Sequence, residues 1–172
     1  MEAARLCTID GARAIAPEAG SQSMSELRQV FNEVIRFEIE IWNGVDARLR
    51  SEFNLPLTHY EPMAVIDRLG GCRVYDVANE LGITTGGTSK LIDRIEADGL
   101  CGRRPNPEDR RSSLLELTPA GKKVLQAASK AFDDELRRRL GGLSPRGVEQ
   151  LLSTLGRLRA AGHEVDVIDE TA

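Results

Sequence analysis

The chain has 172 residues, 41% of them hydrophobic and only 4% aromatic, with a formal net charge of -4 at pH 7. That length fits one domain, or one small module carried by another, and so little aromatic content leaves the packing to Leu, Val, Ile and Ala. No apolar run reaches the roughly 18 residues of a membrane span, no secretory leader follows Met1, and Cys7, Cys72 and Cys101 have neither metal spacing nor the even count of a disulfide framework, so no membrane partner, no metal and a reducing, cytoplasmic location are expected.

Residues 1–22 are rich in Ala and Gly without periodicity and read as a disordered extension. A long amphipathic helix is expected from Ser25, its N-cap, to about Leu49, with Leu27, Val30, Phe31, Val34, Ile41, Trp42, Val45 and Leu49 along one stripe. Ile35 and Ile39 widen that stripe beyond what one neighbour covers. Thr58 and Glu61 have capping-box spacing and open a short helix carrying Met63, Val65, Ile66 and Leu69, with Pro62 at its fourth position. After Gly70-Gly71 comes a helix from Val74 to Leu81, then Gly82, where a left-handed turn is cheap. Thr84 caps a further helix to Asp98, with Thr88, Leu91, Ile92 and Ile95 inward.

Leu100–Arg104 and Ser112–Leu117 read as two strands joined by the turn residues Pro105-Asn106-Pro107-Glu108-Asp109. Thr118-Pro119 is a cap with proline at the first helical position. The helix behind it carries Val124, Leu125, Ala128, Phe132, Leu136 and Leu140. Ser144-Pro145 starts a last helix with Val148, Leu151, Leu152, Leu155 and Leu158, ending near Gly162 and followed by an acidic tail, 163–172. The fold class is therefore mostly α, with one small β-hairpin.

A helix, a glycine turn and a capped second helix make a helix-turn-helix, whose second helix can enter a DNA major groove. Its outward face presents Thr85, Gly86, Ser89, Lys90 and Arg94. Short side chains let the backbone approach phosphate, and Lys90 can reach guanine O6 or N7, or a phosphate. The hairpin is then a wing, with Arg103, Arg104, Arg110 and Arg111 at or near its tip. Arginine entering a narrow minor groove is favoured by the negative potential there. Asp109 cannot bind phosphate, and the expected role is to orient a neighbouring arginine by a fork-type pair.

The net charge does not oppose this reading. Residues 1–22 and 163–172 together hold -5, the body holds +1, and Gly99–Lys123 holds +3. Screening makes the local charge the one that a phosphate feels. An enzyme is disfavoured by the presence of only two histidines and the lack of a nucleophile elbow or phosphate loop. A winged-helix module that binds only protein would have no need of a basic wing.

The run Asp109-Arg110-Arg111-Ser112-Ser113-Leu114-Leu115-Glu116-Leu117-Thr118-Pro119-Ala120-Gly121 resembles the wing signature of the MarR family, Asp-x-Arg followed by a strand and Leu-Thr-x-x-Gly. Ile92-Asp93-Arg94-Ile95-Glu96 with Gly99-Leu100 resembles the end of that family's recognition helix. The resemblance covers about Ser25 to Gly162 in helix order and is motif-specific from about Val74 to Gly121. It implies a homodimeric winged helix-turn-helix regulator, with a dimerisation helix in 23–57, a DNA-binding lobe in 58–117 and C-terminal dimerisation helices in 118–162. It further implies a repressor, without cofactor, that leaves a pseudo-palindromic double-stranded operator on binding a small aromatic or phenolic effector, or on oxidation. Trp42, His59, Tyr60 and Met63 are the candidate effector pocket. Cys7 is read as an idle cysteine, since no cation is fixed beside it apart from Arg5. Gly86-Gly87, Ser112-Ser113 and Pro62 depart from the family pattern.

Overall fold

The computed structural model describes residues 23–109 and 111–169, with side chains as far as Ala161. The expected N-terminal extension, Cys7, Arg110 and the last three residues of the acidic tail lie outside the described residues. The elements are α1 (Met24–Phe53), α2 (Leu57–Leu69), α3 (Val74–Leu81), α4 (Thr85–Ala97), β1 (Cys101–Pro105), β2 (Ser113–Leu117), α5 (Pro119–Leu140) and α6 (Pro145–Asp169). The chain divides into two compact units, Met1–Glu38 and Ile39–Ala172, and α1 begins in the first and continues into the second.

In the first unit, α1 opens with a capping box that sits earlier in the chain than expected. Ser23 Oγ accepts from the Glu26 amide at 3.3 Å, and Glu26 Oε2 accepts from the Ser23 amide at 2.9 Å. Ser23, not Ser25, is therefore the cap, because only Ser23 has an acid three residues on. Every described residue of this unit is exposed, including Leu27, Val30, Phe31 and Val34.

The core belongs to the second unit. Val45 and Leu49 of α1, Tyr60, Met63, Val65 and Ile66 of α2, Val77 of α3, and Ile92 and Ile95 of α4 form one cluster with Leu115, Leu117, Leu125 and Ala128. The expected cap of α2 is corrected. Its helix starts at Leu57, so Thr58 lies inside the first turn and Pro62 is the sixth residue. The cap comes from α1, where Asp46 Oδ1 accepts from the Leu57 amide at 2.8 Å. Helix α5 is tied to the same stretch of α1 through Glu135, which is only 3% exposed. Its carboxylate accepts from Arg138 and Arg139, each at 2.6 Å, and stands 4.0 Å from Arg48. Hydrogen bonds from Arg138, which outweigh the cost of burial, hold its pKa down at about 2.

The helix-turn-helix forms as its sequence dictates. Gly82 adopts φ 65°, a left-handed conformation that ends α3 and costs glycine nothing. Thr84 then accepts from the Gly87 amide at 3.2 Å and opens α4.

Strands β1 and β2 pair antiparallel, Cys101 with Leu117 and Arg103 with Leu115. Cys72 makes an isolated antiparallel bridge to Leu115 and is buried. Behind the hairpin, Thr118 accepts from the Gly121 amide at 3.0 Å and donates its hydroxyl proton to Gly99 O at 2.7 Å. The glycine at 121 has a steric reason. A Cβ there would stand 1.9 Å from the Leu100 carbonyl oxygen. The end of the expected motif is thus where the residue leading into the wing's first strand touches the first turn of α5.

Helix α6 runs past the expected end near Gly162. From Pro145 to Ala161 only Gly147 and Gly156 are less than exposed, and Leu151, Leu152, Leu155 and Leu158 are all exposed.

Candidate nucleic-acid interface

Burial of Thr88, Ile92 and Ile95 turns one face of α4 into the core. At 100° per residue the opposite face carries Gly86, Lys90 and Asp93, with Ser89 and Arg94 on its two margins and Thr85 in the first turn nearer the buried side. Thr85, Gly86, Lys90 and Arg94 are exposed and Ser89 is half-buried. The polar residues expected on this face are therefore brought together. Asp93 was not anticipated among them, and its charge would oppose a phosphate.

The wing supplies the answer to that charge. Arg103 of β1 reaches back across α4, donating to Asp93 Oδ1 at 2.6 Å and to the carboxylate of Glu96. Its side chain is 27% exposed, and its guanidinium is held in these ion pairs. Its donor fork is taken up by two carboxylates one turn apart on the recognition helix. Arg104 projects from the other side of β1 and pairs with Glu116 Oε1 of β2 at 2.6 Å, with 43% of its side chain still exposed.

The wing turn is shaped by two short side chains. Asn106 donates to Ser112 Oγ at 2.9 Å and accepts from the Glu108 amide at 3.0 Å. Asp109 Oδ1 accepts from the Arg111 backbone amide at 3.0 Å, and its carbonyl accepts from the Ser112 amide at 3.0 Å. Asp109 thus orients Arg111 through the backbone, as an Asx turn does. Arg111 is exposed at the tip. Asn106 is a further site residue that sequence reading missed as an individual, although its place in a Pro-Asn-Pro turn marked the segment.

The MarR family model matches residues 55–113, from the end of α1 through the wing tip. A HTH-type transcriptional regulator of Bacillus subtilis, YfiV, is 29% identical over 109 residues, covering 62% of this chain and 68% of that protein. Over residues 55–113 the chain is similar to the MarR family. The likeness is to DNA-binding transcription regulators and not to enzymes. The fold agrees with solved MarR-family structures. Sco3205 of Streptomyces coelicolor in complex with DNA has a TM-score of 0.73 at 22% identity, over 84% of this chain and 92% of that one. BpsR of Bordetella bronchiseptica, whose DNA binding is regulated by 6-hydroxynicotinic acid, has a TM-score of 0.71 at 21% identity, over 81% of this chain and 98% of that one.

The four expected effector-pocket residues sit in different surroundings. Tyr60 stacks on Phe132 with ring centroids 4.7 Å apart and donates to Ser129 Oγ at 3.3 Å. Met63 is fully buried in the core. His59 Nδ1 lies 3.4 Å from Asp98 Oδ2 just past the end of α4, and burial lowers its pKa against the pull of that carboxylate. Trp42 borders a cleft of about 350 Å³ whose α2 wall is Thr58, Glu61 and Pro62. Helix geometry accounts for the difference. Residues 58, 61 and 62 are spaced i, i+3, i+4 and share a face, whereas 59, 60 and 63 point to the other side.

The remaining cysteines are chemically quiet. Burial pushes the thiols of Cys72 and Cys101 up to about 11, so little reactive thiolate forms at neutral pH.

Proposed function

We propose that this protein is a cytoplasmic, ligand-responsive repressor that binds a pseudo-palindromic operator as a homodimer. The observation that carries the DNA reading is the exposed Gly86–Lys90–Arg94 face of α4, with half-buried Ser89 at its margin, beside a wing whose tip presents Arg111 on a backbone fixed by Asp109. Lys90 and Ser89 read base edges in the major groove, with Thr85, Gly86 and Arg94 at the flanking phosphates. Arg104 meets phosphate, and Arg111 with its sequence neighbour Arg110 enters the minor groove. Arg103 positions the wing. The dimer reading is supported by two exposed apolar faces, Leu27, Val30, Phe31 and Val34 on α1 and Leu151, Leu152, Leu155 and Leu158 on α6. Exposed faces of this kind are costly in water and are covered by self-association in two-fold readers. The dimerisation and DNA-binding boundaries at 57/58 and 117/118 belong to the same reading. The Trp42 cleft is the effector site.

Selection of bound duplexes from random genomic fragments tests this reading. Enriched fragments should share an inverted repeat with half-site centres about one helical turn apart, or a multiple of it. Lys90→Ala should cost about 1–3 kcal/mol on the selected duplex and relax preference at one or two base pairs per half-site. Equal affinity of native and Lys90→Ala protein for selected and scrambled duplexes would remove Lys90 from base readout.

A further inference from the structure

We propose that the Trp42 cleft takes a small organic cation with an aromatic or branched apolar body, its positive centre held between Trp42 and the carboxylate of Glu61. This ligand class rests on the reading of the cleft as the effector site.

Apart from Thr58 and Glu61, the lining is apolar: Trp42 and Pro62 on one side, and Leu81, Ile83 and Leu91 on the other. Glu61 is the one ionisable group among these residues. It makes no hydrogen bond and no ion pair among the described residues, and burial alone pushes its carboxyl up. A carboxylate half removed from water without a partner is an unfavourable arrangement that a bound cation relieves. Trp42 is partly exposed, and its indole is the aromatic surface with the strongest attraction for a cation. The two groups pull in the same direction, since neither favours an anion. A phenolate or aromatic carboxylate, the effector class that the family resemblance implied, would meet like charge at Glu61.

The cleft volume of about 350 Å³ admits a body of one ring with a branched head. The far wall explains how occupancy would be felt at DNA. Leu81 and Ile83 flank Gly82, the pivot of the helix-turn-helix, and Leu91 is the neighbour of Lys90 on α4. A ligand lodged between Glu61 and Leu91 therefore presses on the turn and on the helix that presents Lys90.

Trp42 is the sole tryptophan of the chain, so its fluorescence reports the cleft in the full-length protein. The probes are benzyltrimethylammonium, its uncharged carbon isostere neopentylbenzene, and salicylate. The cation should bind about tenfold or more tighter than the isostere, as expected for a partly desolvated charge pair joined by a cation–π contact. Salicylate should leave the emission unchanged at the same concentrations. Glu61→Gln should abolish the preference for the cation while still binding the isostere, and circular dichroism should show its helix content intact. Trp42→Leu, read by equilibrium dialysis, should weaken cation binding by about three- to thirtyfold. A Glu61→Gln variant that keeps the full preference, or salicylate binding where the cation does not, would overturn the proposal. Release from a selected duplex separates the two readings. If the cation saturates Trp42 without loosening DNA, the cation site stands and the effector role falls. If salicylate releases DNA and the cation neither binds nor releases, the effector role stands and the cation site falls.

Discussion

Removing Arg103 should weaken DNA binding even though its guanidinium is not offered to phosphate. Asp93, Glu96 and Arg103 together carry one negative charge, and Arg103→Ala leaves two on the recognition helix. At about 8 Å from a phosphate and an effective dielectric of about 40, one uncancelled charge is worth about 1 kcal/mol, cut to about 0.4 at physiological salt. Summed over two phosphates in each half-site of the proposed dimer, the loss is about 1–2 kcal/mol, roughly five- to thirtyfold in affinity. The triple variant Arg103→Ala, Asp93→Asn, Glu96→Gln removes the same guanidinium together with both acids. It should recover the native affinity or exceed it. Anisotropy titrations on one duplex at several salt concentrations give the comparison, with thermal melts confirming that each variant is folded. If the triple variant binds as poorly as Arg103→Ala, Arg103 touches phosphate directly and the cancellation argument is refuted. Unchanged binding by Arg103→Ala would refute it equally.

Paired replacement of Leu151 and Leu155 by Glu should leave a folded monomer that no longer holds the selected duplex; a dimer surviving at micromolar concentration in sedimentation would contradict the assignment of α6. Gly121→Ala should destabilise by about 1–3 kcal/mol in urea titration, because the added methyl collides with the Leu100 carbonyl and backbone must move; an unchanged midpoint would mean that the contact relaxes freely. Glu135, with its pKa held at about 2 against an ordinary 4.5, contributes stability that is complete above about pH 4.5 and is lost as pH falls toward 2. Glu135→Gln should therefore be less stable at neutral pH and flatter in its acid dependence, and parallel acid profiles for the two proteins would count against the Arg138–Glu135–Arg139 cluster.

The order of elements was readable in the string because its signals are short-range. Thr84 caps α4 and Thr118 caps α5 through atoms three residues away, and Gly82 turns the chain by its own φ. Period and cap spacing within about one turn decide such features. The same reasoning placed Ser89, Lys90 and Arg94 on the outward face of α4, since burial of Thr88, Ile92 and Ile95 is a matter of periodicity. The misplaced cap at Ser25 shows the limit of even local reading, where two serines compete and one acid decides between them.

Only the tertiary structure decided the pairings across elements. Nothing local to Thr58 says that Asp46, eleven residues before Leu57, caps α2, and so the helix begins earlier than its own sequence suggests. The arginines of the wing look alike in sequence, yet the strand pleat sends Arg103 to Asp93 and Glu96, Arg104 to Glu116, and leaves Arg111 outward at the tip. The surroundings of the expected pocket residues were decided in the same way. Helix α2 docks with Tyr60 and Met63 toward the core, so the cleft beside Trp42 inherits Thr58, Glu61 and Pro62. Local spacing determines which side chains share a face; which face is buried, and what charge it meets there, is set by the packing of helices and strands that are distant in sequence.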